Sequence, residues 1–267
     1  MTVDLELEKV RLAYEDGLGI LTLNDPAALN VMGHQMGADL AQAAGEIARR
    51  PEYRALLINA EGKHFCGGGD LKAMQAGFAD DPKAFFETAL SSIHEAVLAL
   101  HNLPIPIVTA VQGFAAGAGA NFALVGDLLV AADNAQFFQA FTQVGVAVDS
   151  GGSWFLPRAL GDKRALYYLL TGAKLSAADA HALGLVSKVV PLEKLASESH
   201  VLARQLAQGP TVAYGEIRRL VAMAHRNDLA SQLAAEQVAQ VRCGETRDFQ
   251  SGVNAFLAKA APEFSGE

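Results

Sequence analysis

The stretch Ile107-Val-Thr-Ala-Val-Gln-Gly-Phe-Ala-Ala-Gly-Ala-Gly-Ala-Asn121 runs from a β-prone apolar segment straight into a glycine- and alanine-rich junction. Residues with little or no side chain at the end of a strand let backbone N–H groups approach a ligand closely. A second junction of this kind, His64-Phe-Cys-Gly-Gly-Gly-Asp-Leu71, follows the β-prone run Ala55 to Ile58. Two such turns side by side would make an oxyanion hole, in which preorganised backbone donors stabilise developing negative charge. Tight turns and close helix packing would also account for the glycines.

Around these junctions, Val10 to Tyr14 and Ile20 to Leu23 read as a hairpin across the glycine turn at 15–19. Gly37 to Arg50, Phe85 to Leu100, Ala115 to Leu124 and Lys163 to Leu170 have helical spacing. Strands alternating with helices predict an α/β core. From about Ser176 the pattern is mostly helical, over Ser176 to Leu183, Leu192 to Ala207, Thr211 to His225, Asp228 to Val241 and Thr246 to Ala258. Ser176-Ala-Ala-Asp179 matches a capping box, and Gly184 is a plausible stop. The expected division is a core over 1–195 and a C-terminal helical region over 196–267. Gln75 to Pro82, with Asp80-Asp-Pro82 as its turn, is expected to be a pocket-shaping loop.

The chain has 267 residues, of which 51% are hydrophobic and 19% charged, and this balance excludes a disordered chain. Cys66 and Cys243 are its only cysteines and lie outside any CxxC or Cys/His cluster, so the expected setting is reduced and cytoplasmic. A net charge of −8 argues against nucleic acid as a partner. No secretory signal is visible in the acidic N-terminus. The most apolar region, 105–132, is interrupted by Pro106, Gln112, Asn121 and Asp127, which favours a buried core over a membrane span. Dinucleotide, triphosphate and HExxH metal motifs are missing.

A third element, Val144-Gly-Val-Ala-Val-Asp-Ser-Gly-Gly-Ser-Trp154, carries a single carboxylate, Asp149. Asp149 reads either as the N-cap of a helix starting near Ser150 or as a base whose pKa is raised by apolar neighbours. Cys66, with no His arranged beside it in any motif, reads as a small buried thiol rather than a nucleophile, and His64 as a surface or loop residue.

Together these segments resemble the crotonase superfamily, the enoyl-CoA hydratases and isomerases. The resemblance includes Pro26, Asn30, the junctions at 65–71 and 113–121, Asp127, Ala135-Gln-Phe137, 145–158, Leu170-Thr-Gly172, 178–186 and 256–264. It implies an α/β fold, a spiral of ββα repeats with C-terminal helices that assemble as a homotrimer or a dimer of trimers. It also implies an acyl-CoA thioester substrate with no further cofactor and no metal. Carried over, the oxyanion donors are the N–H groups of Gly69 and Ala118.

Hydratases of the family use two glutamates, and their positions correspond here to Asn121 and Phe141, neither of which is a carboxylate. The run 145–158 most resembles the 2-(1,2-epoxy-1,2-dihydrophenyl)acetyl-CoA isomerases, which implies that Asp149 is the acid/base. The sequence departs from the common pattern at Ala140-Phe141 and at Val146-Ala147-Val148, where a proline is frequent. Further candidate contacts for the acyl-CoA are Phe65, Cys66, Gly67, Gly68, Asp70, Leu71, Lys72, Gly117, Asn121, Phe141 and Lys259. In a related aryl-CoA dehalogenase, an Asp near this position is a covalent nucleophile, which gives a hydrolytic alternative. An inactive or RNA-binding homologue is the alternative of another class, and the acidic balance opposes it.

Overall fold

A computed structural model describes residues 2–78 and 81–267. Strands β1 (Thr2–Glu6), β2 (Val10–Glu15) and β3 (Leu18–Leu23) form an antiparallel meander. Asp16 and Gly17 both have positive φ, as the two-residue turn matching strand twist requires. Helix α1 (His34–Arg49) leads to β4 (Ala55–Ala60), which pairs parallel with β3. Helices α2 (Leu71–Phe78) and α3 (Pro82–His101) then precede β5 (Ile107–Val111).

After β5 come β6 (Phe114–Ala116), α4 (Ala118–Ala123), β7 (Leu128–Ala132) and β8 (Gln136–Phe138). Helices α5 (Gly152–Leu160) and α6 (Asp162–Thr171), strand β9 (Leu175–Ser176), helix α7 (Ala177–Ala182) and strand β10 (Lys188–Val190) complete the sheets. The helices that follow are α8 (Leu195–Ala207), α9 (Thr211–Ala224), α10 (Leu229–Gly244) and α11 (Arg247–Ala258). The main sheet has the order β1-β2-β3-β4-β5-β7-β10 and is parallel from β3 onward, and a small sheet β6-β8-β9 lies beside it.

Both faces of the parallel strands are buried, and alternate residues serve different cores. Leu56, Ile58, Ile107 and Val111 join the large core with α1 and α3, whereas Ala55, Leu57, Val108 and Ala110 face α8. Helix α8 therefore packs on the sheet, although it opens at the expected boundary of the helical region. The later helices are tied back by arginine hydrogen bonds. Arg218 donates to both Asp127 carboxylate oxygens, at 2.9 and 2.7 Å, and Arg54 donates to Thr211 Oγ1, Gly209 O and Phe264 O.

The expected helix over 115–124 is corrected. Phe114 to Ala116 pair with β8, Gly117 turns the chain at φ +47, and the helix starts only at Ala118. Gln75 to Phe78 belong to α2 rather than to a loop. Asp80 lies outside the described residues, while Asp81 caps α3 and Pro82 opens it. No helix among the described residues is long and apolar enough to cross a membrane.

Candidate active site

The first glycine junction is locked from two sides. On one side Gly67 N donates to Leu29 O at 2.8 Å, Met32 N to Gly68 O at 2.7 Å and Asp70 N to Met32 O at 3.2 Å. On the other, Ala116 N donates to Cys66 O at 3.0 Å and Cys66 N to Phe114 O at 3.3 Å, which joins this junction to the second. Gly68 has φ +98, and a Cβ there would stand 3.0 Å from Ala116 O, so both conformation and space call for glycine.

These bonds use the donors around Gly69 but not its own N–H. Ala118 is the first residue of α4, where a helical N–H has no partner within the helix. Among the described residues neither the Gly69 nor the Ala118 N–H has a hydrogen-bond partner. The geometry thus keeps free the two N–H groups expected to act as donors, on turns held together by the β6 bridge.

The packing between the turns is tight. An added Cβ at Gly119 would lie 2.4 Å from Cys66 Sγ and 2.5 Å from its Cβ. Gly119→Ala is therefore expected to destabilise the fold by about 1–3 kcal/mol, the usual range for overpacking, and thermal melting measures it. An unchanged melting temperature would show that the junctions can separate without loss. Cys66 is sealed in the core, and burial pushes its thiol up to about 12, which leaves it protonated and unreactive. Phe65 is equally buried, so the turn can contact a ligand only through its backbone at these two positions. His64 is half-buried and stacked on Phe114, and its Nδ1 accepts from Phe114 N at 3.3 Å.

Asp149 is not a helix cap. Gly151 occupies the N-cap of α5, and the Asp149 carboxylate instead accepts from Ser150 Oγ at 2.8 Å. Burial raises its pKa above the ordinary carboxylate range, partly countered by the Ser150 hydrogen bond and by the charge of His94 on α3. Val146 and Val148 are half-buried beside it in the chain, and Phe141 packs toward Gly117. The carboxyl group is thus a stronger base than a solvated Asp.

The other candidates divide by location. Asn121 is fully buried with its amide used inside the protein, which gives it a supporting place rather than a surface open to substrate. Asp70 caps the start of α2 by accepting from Ala73 N at 2.9 Å, and Leu71 and Lys72 are exposed on that helix. Lys259 is exposed just past the end of α11. Ser150 and Gln139 were not singled out by the sequence. Neither residue type carries a local signal, and only the folded contacts with Asp149 and Asn121 reveal them.

Two unpaired N–H groups on joined turns, with a carboxyl of raised pKa on the segment that Asn121 ties to α4, form an arrangement suited to stabilising and protonating an enolate. The chain belongs to the enoyl-CoA hydratase/isomerase family, the crotonase superfamily, whose family model matches residues 13–267. It is 40% identical over 264 residues to the Escherichia coli 1,2-epoxyphenylacetyl-CoA isomerase, covering 98% of this chain and 100% of that protein. It is 33% identical to a trans-2-decenoyl-[acyl-carrier-protein] isomerase of Streptococcus mutans, over 98% of this chain and 100% of the relative. A crystal structure of an enoyl-CoA hydratase from Polaromonas superimposes with a TM-score of 0.91 at 35% identity, covering 96% and 99% of the two chains. Hydratase and isomerase names both occur among these relatives.

Proposed function

We propose that this protein is an acyl-CoA isomerase in which Asp149 moves a proton on a thioester enolate. The observation that carries the reading is that Asp149 has no carboxylate partner at the hydratase positions, which hold Asn121 and Phe141. Addition of water calls for groups that hold and activate it, whereas a double-bond shift needs one group that takes a proton and returns it. The thioester oxygen of the substrate would accept from the Gly69 and Ala118 N–H groups. Asp149 would remove a proton from C2 of a 3-enoyl-CoA, and its carboxylic acid would return that proton at C4, leaving the conjugated 2-enoyl-CoA. With a ring 1,2-epoxide of a phenylacetyl-CoA, loss of the C2 proton to Asp149 would open the adjacent epoxide C–O bond, and the acid so formed would protonate the oxygen that stays on the ring. This chemistry uses no cofactor beyond the CoA of the substrate.

The likeness to the Escherichia coli isomerase supports the epoxide as a substrate. Exposed apolar residues on the last helices, among them Leu229, Val238, Phe256 and Leu257, support assembly as a trimer or a pair of trimers. The test follows a 3-enoyl-CoA by the rise of conjugated-thioester absorbance and by chromatography. A 2-enoyl product without 3-hydroxyacyl-CoA supports the reading, and accumulation of the hydroxyacyl product overturns it.

The pH profile provides a further prediction. Asp149 must be ionised to take the proton, so kcat/KM falls as pH drops through its pKa in the free enzyme. Because burial raises that pKa, the acid limb lies above the range of a solvated carboxylate. Ser150 donates to the ionised form and lowers the pKa, so Ser150→Ala is expected to move the acid limb to higher pH. A limb that stays in place would show that Asp149 does not set it.

A further inference from the structure

The support of Asp149 reaches two layers into the protein. Asn121 on α4 donates from Nδ2 to the Asp149 main-chain carbonyl at 2.9 Å, and the same carbonyl accepts from Gly152 N at 3.0 Å. Asn121 Oδ1 in turn accepts from Gln139 Nε2 at 3.0 Å. Gln139 is 4% exposed and Asn121 has no exposed surface, while Gln139 Oε1 is buried with no hydrogen-bond partner.

Two buried amides in series, one with an oxygen unmatched, form a poor device for stability alone, since apolar side chains of similar shape would avoid the unmatched group. The segment after Asp149 shows what they control. Ser150 and Gly151 follow with φ +51 and +81, a reversal that fixes where the carboxylate points only if the backbone at 149 is itself held. The approach is close enough that an added Cβ at Gly152 would stand 2.3 Å from Asn121 Nδ2.

We propose that Asn121 and Gln139 are positioning residues for Asp149: Gln139 orients the Asn121 amide, and that amide fixes the Asp149 backbone so that the carboxylate faces the bound thioester. The proposal rests on Asp149 being the proton shuttle. Asn121 thus stands where a hydratase carries a carboxylate and uses its side chain to place the remaining one.

The experiment compares wild type with Asn121→Leu, Asn121→Ser, Gln139→Leu and Asp149→Asn on a 3-enoyl-CoA, after thermal melting confirms which variants are folded at the assay temperature. Misplacing a reacting group by about 1 Å can cost about 100-fold, so kcat is expected to fall roughly 10- to 100-fold in the Asn121 and Gln139 variants with KM unchanged. Asn121→Ser and Gln139→Leu keep the test available if the bulkier Asn121→Leu does not fold. A purely structural role would lower the melting temperature and leave kcat of the folded enzyme as it was. That result, with Asp149→Asn inactive, overturns the relay alone. A raised KM with kcat intact would also overturn it, because it would make Asn121 a substrate contact. An active Asp149→Asn enzyme would instead overturn the shuttle on which the relay rests.

Discussion

Asp149→Asn is expected to lower isomerisation by about 10²- to 10⁴-fold, the range supplied by a positioned general acid/base. Asparagine has nearly the same shape and can still accept the Ser150 hydroxyl through its Oδ1, so the backbone support from Asn121 and Gly152 has no reason to change. The same variant should be as stable as wild type, or more stable, near neutral pH. Burial raises the folded-state pKa of Asp149, so the unfolded chain gives up this proton more readily. Stability therefore falls as pH rises from the unfolded to the folded pKa, a cost that the uncharged amide removes. Thermal melting and initial rates on the same preparation check both halves. Loss of activity with loss of stability would point instead to a structural role for the carboxylate.

Ala118→Pro is expected to have an effect of similar size for a different reason. Proline lacks an N–H, and the first helical position is where a helix tolerates it, because that N–H is unpaired within the helix in any case. The substitution removes the N–H proposed as the second oxyanion donor from the N-terminus of α4. Deleting such a donor typically lowers kcat by about 10²- to 10³-fold. Ala118→Gly, which keeps the N–H, controls for the altered side chain in this buried position and is expected to retain most of the activity. Full activity in a folded Ala118→Pro enzyme would show that the second donor lies elsewhere.

Much of this architecture can be read from local chemistry. The turn at Asp16-Gly17, the alternation in Ala55 to Ile58 and Ile107 to Val111, and the capping of α7 by Ser176 each depend on neighbouring residues, and the structure contains all of them. The small sheet is different. Its strands β6, β8 and β9 are two or three residues long, and Ala115 and Ala116 have a side chain that favours helix, so their strand state comes from pairing with Phe137 and Phe138. Helix α2 likewise follows three glycines, and its last residues lie next to the turn signal Asp80-Asp-Pro82, so the local sequence favours a loop there.

At the site, the glycine junctions, Asp149 and the absence of a second carboxylate at positions 121 and 141 were visible as residue types in order. The surroundings of Asp149 were not. Asn121 lies 28 positions before it and meets its carbonyl only through the packing of α4 against α5, while Gln139 joins through β8. The capping alternative for Asp149 also failed for a local reason, since two successive positive-φ residues carry the chain past the cap before α5 begins.

The most direct measurement uses a 3-enoyl-CoA carrying deuterium at C2, converted by the wild-type enzyme in ordinary water and analysed by mass spectrometry and NMR at low conversion. A single carboxylate that takes and returns the same proton predicts 2-enoyl-CoA with part of the deuterium transferred to C4 and no oxygen added from water. A 3-hydroxyacyl-CoA product, or a 2-enoyl product with no deuterium at C4, would contradict the one-carboxylate shuttle.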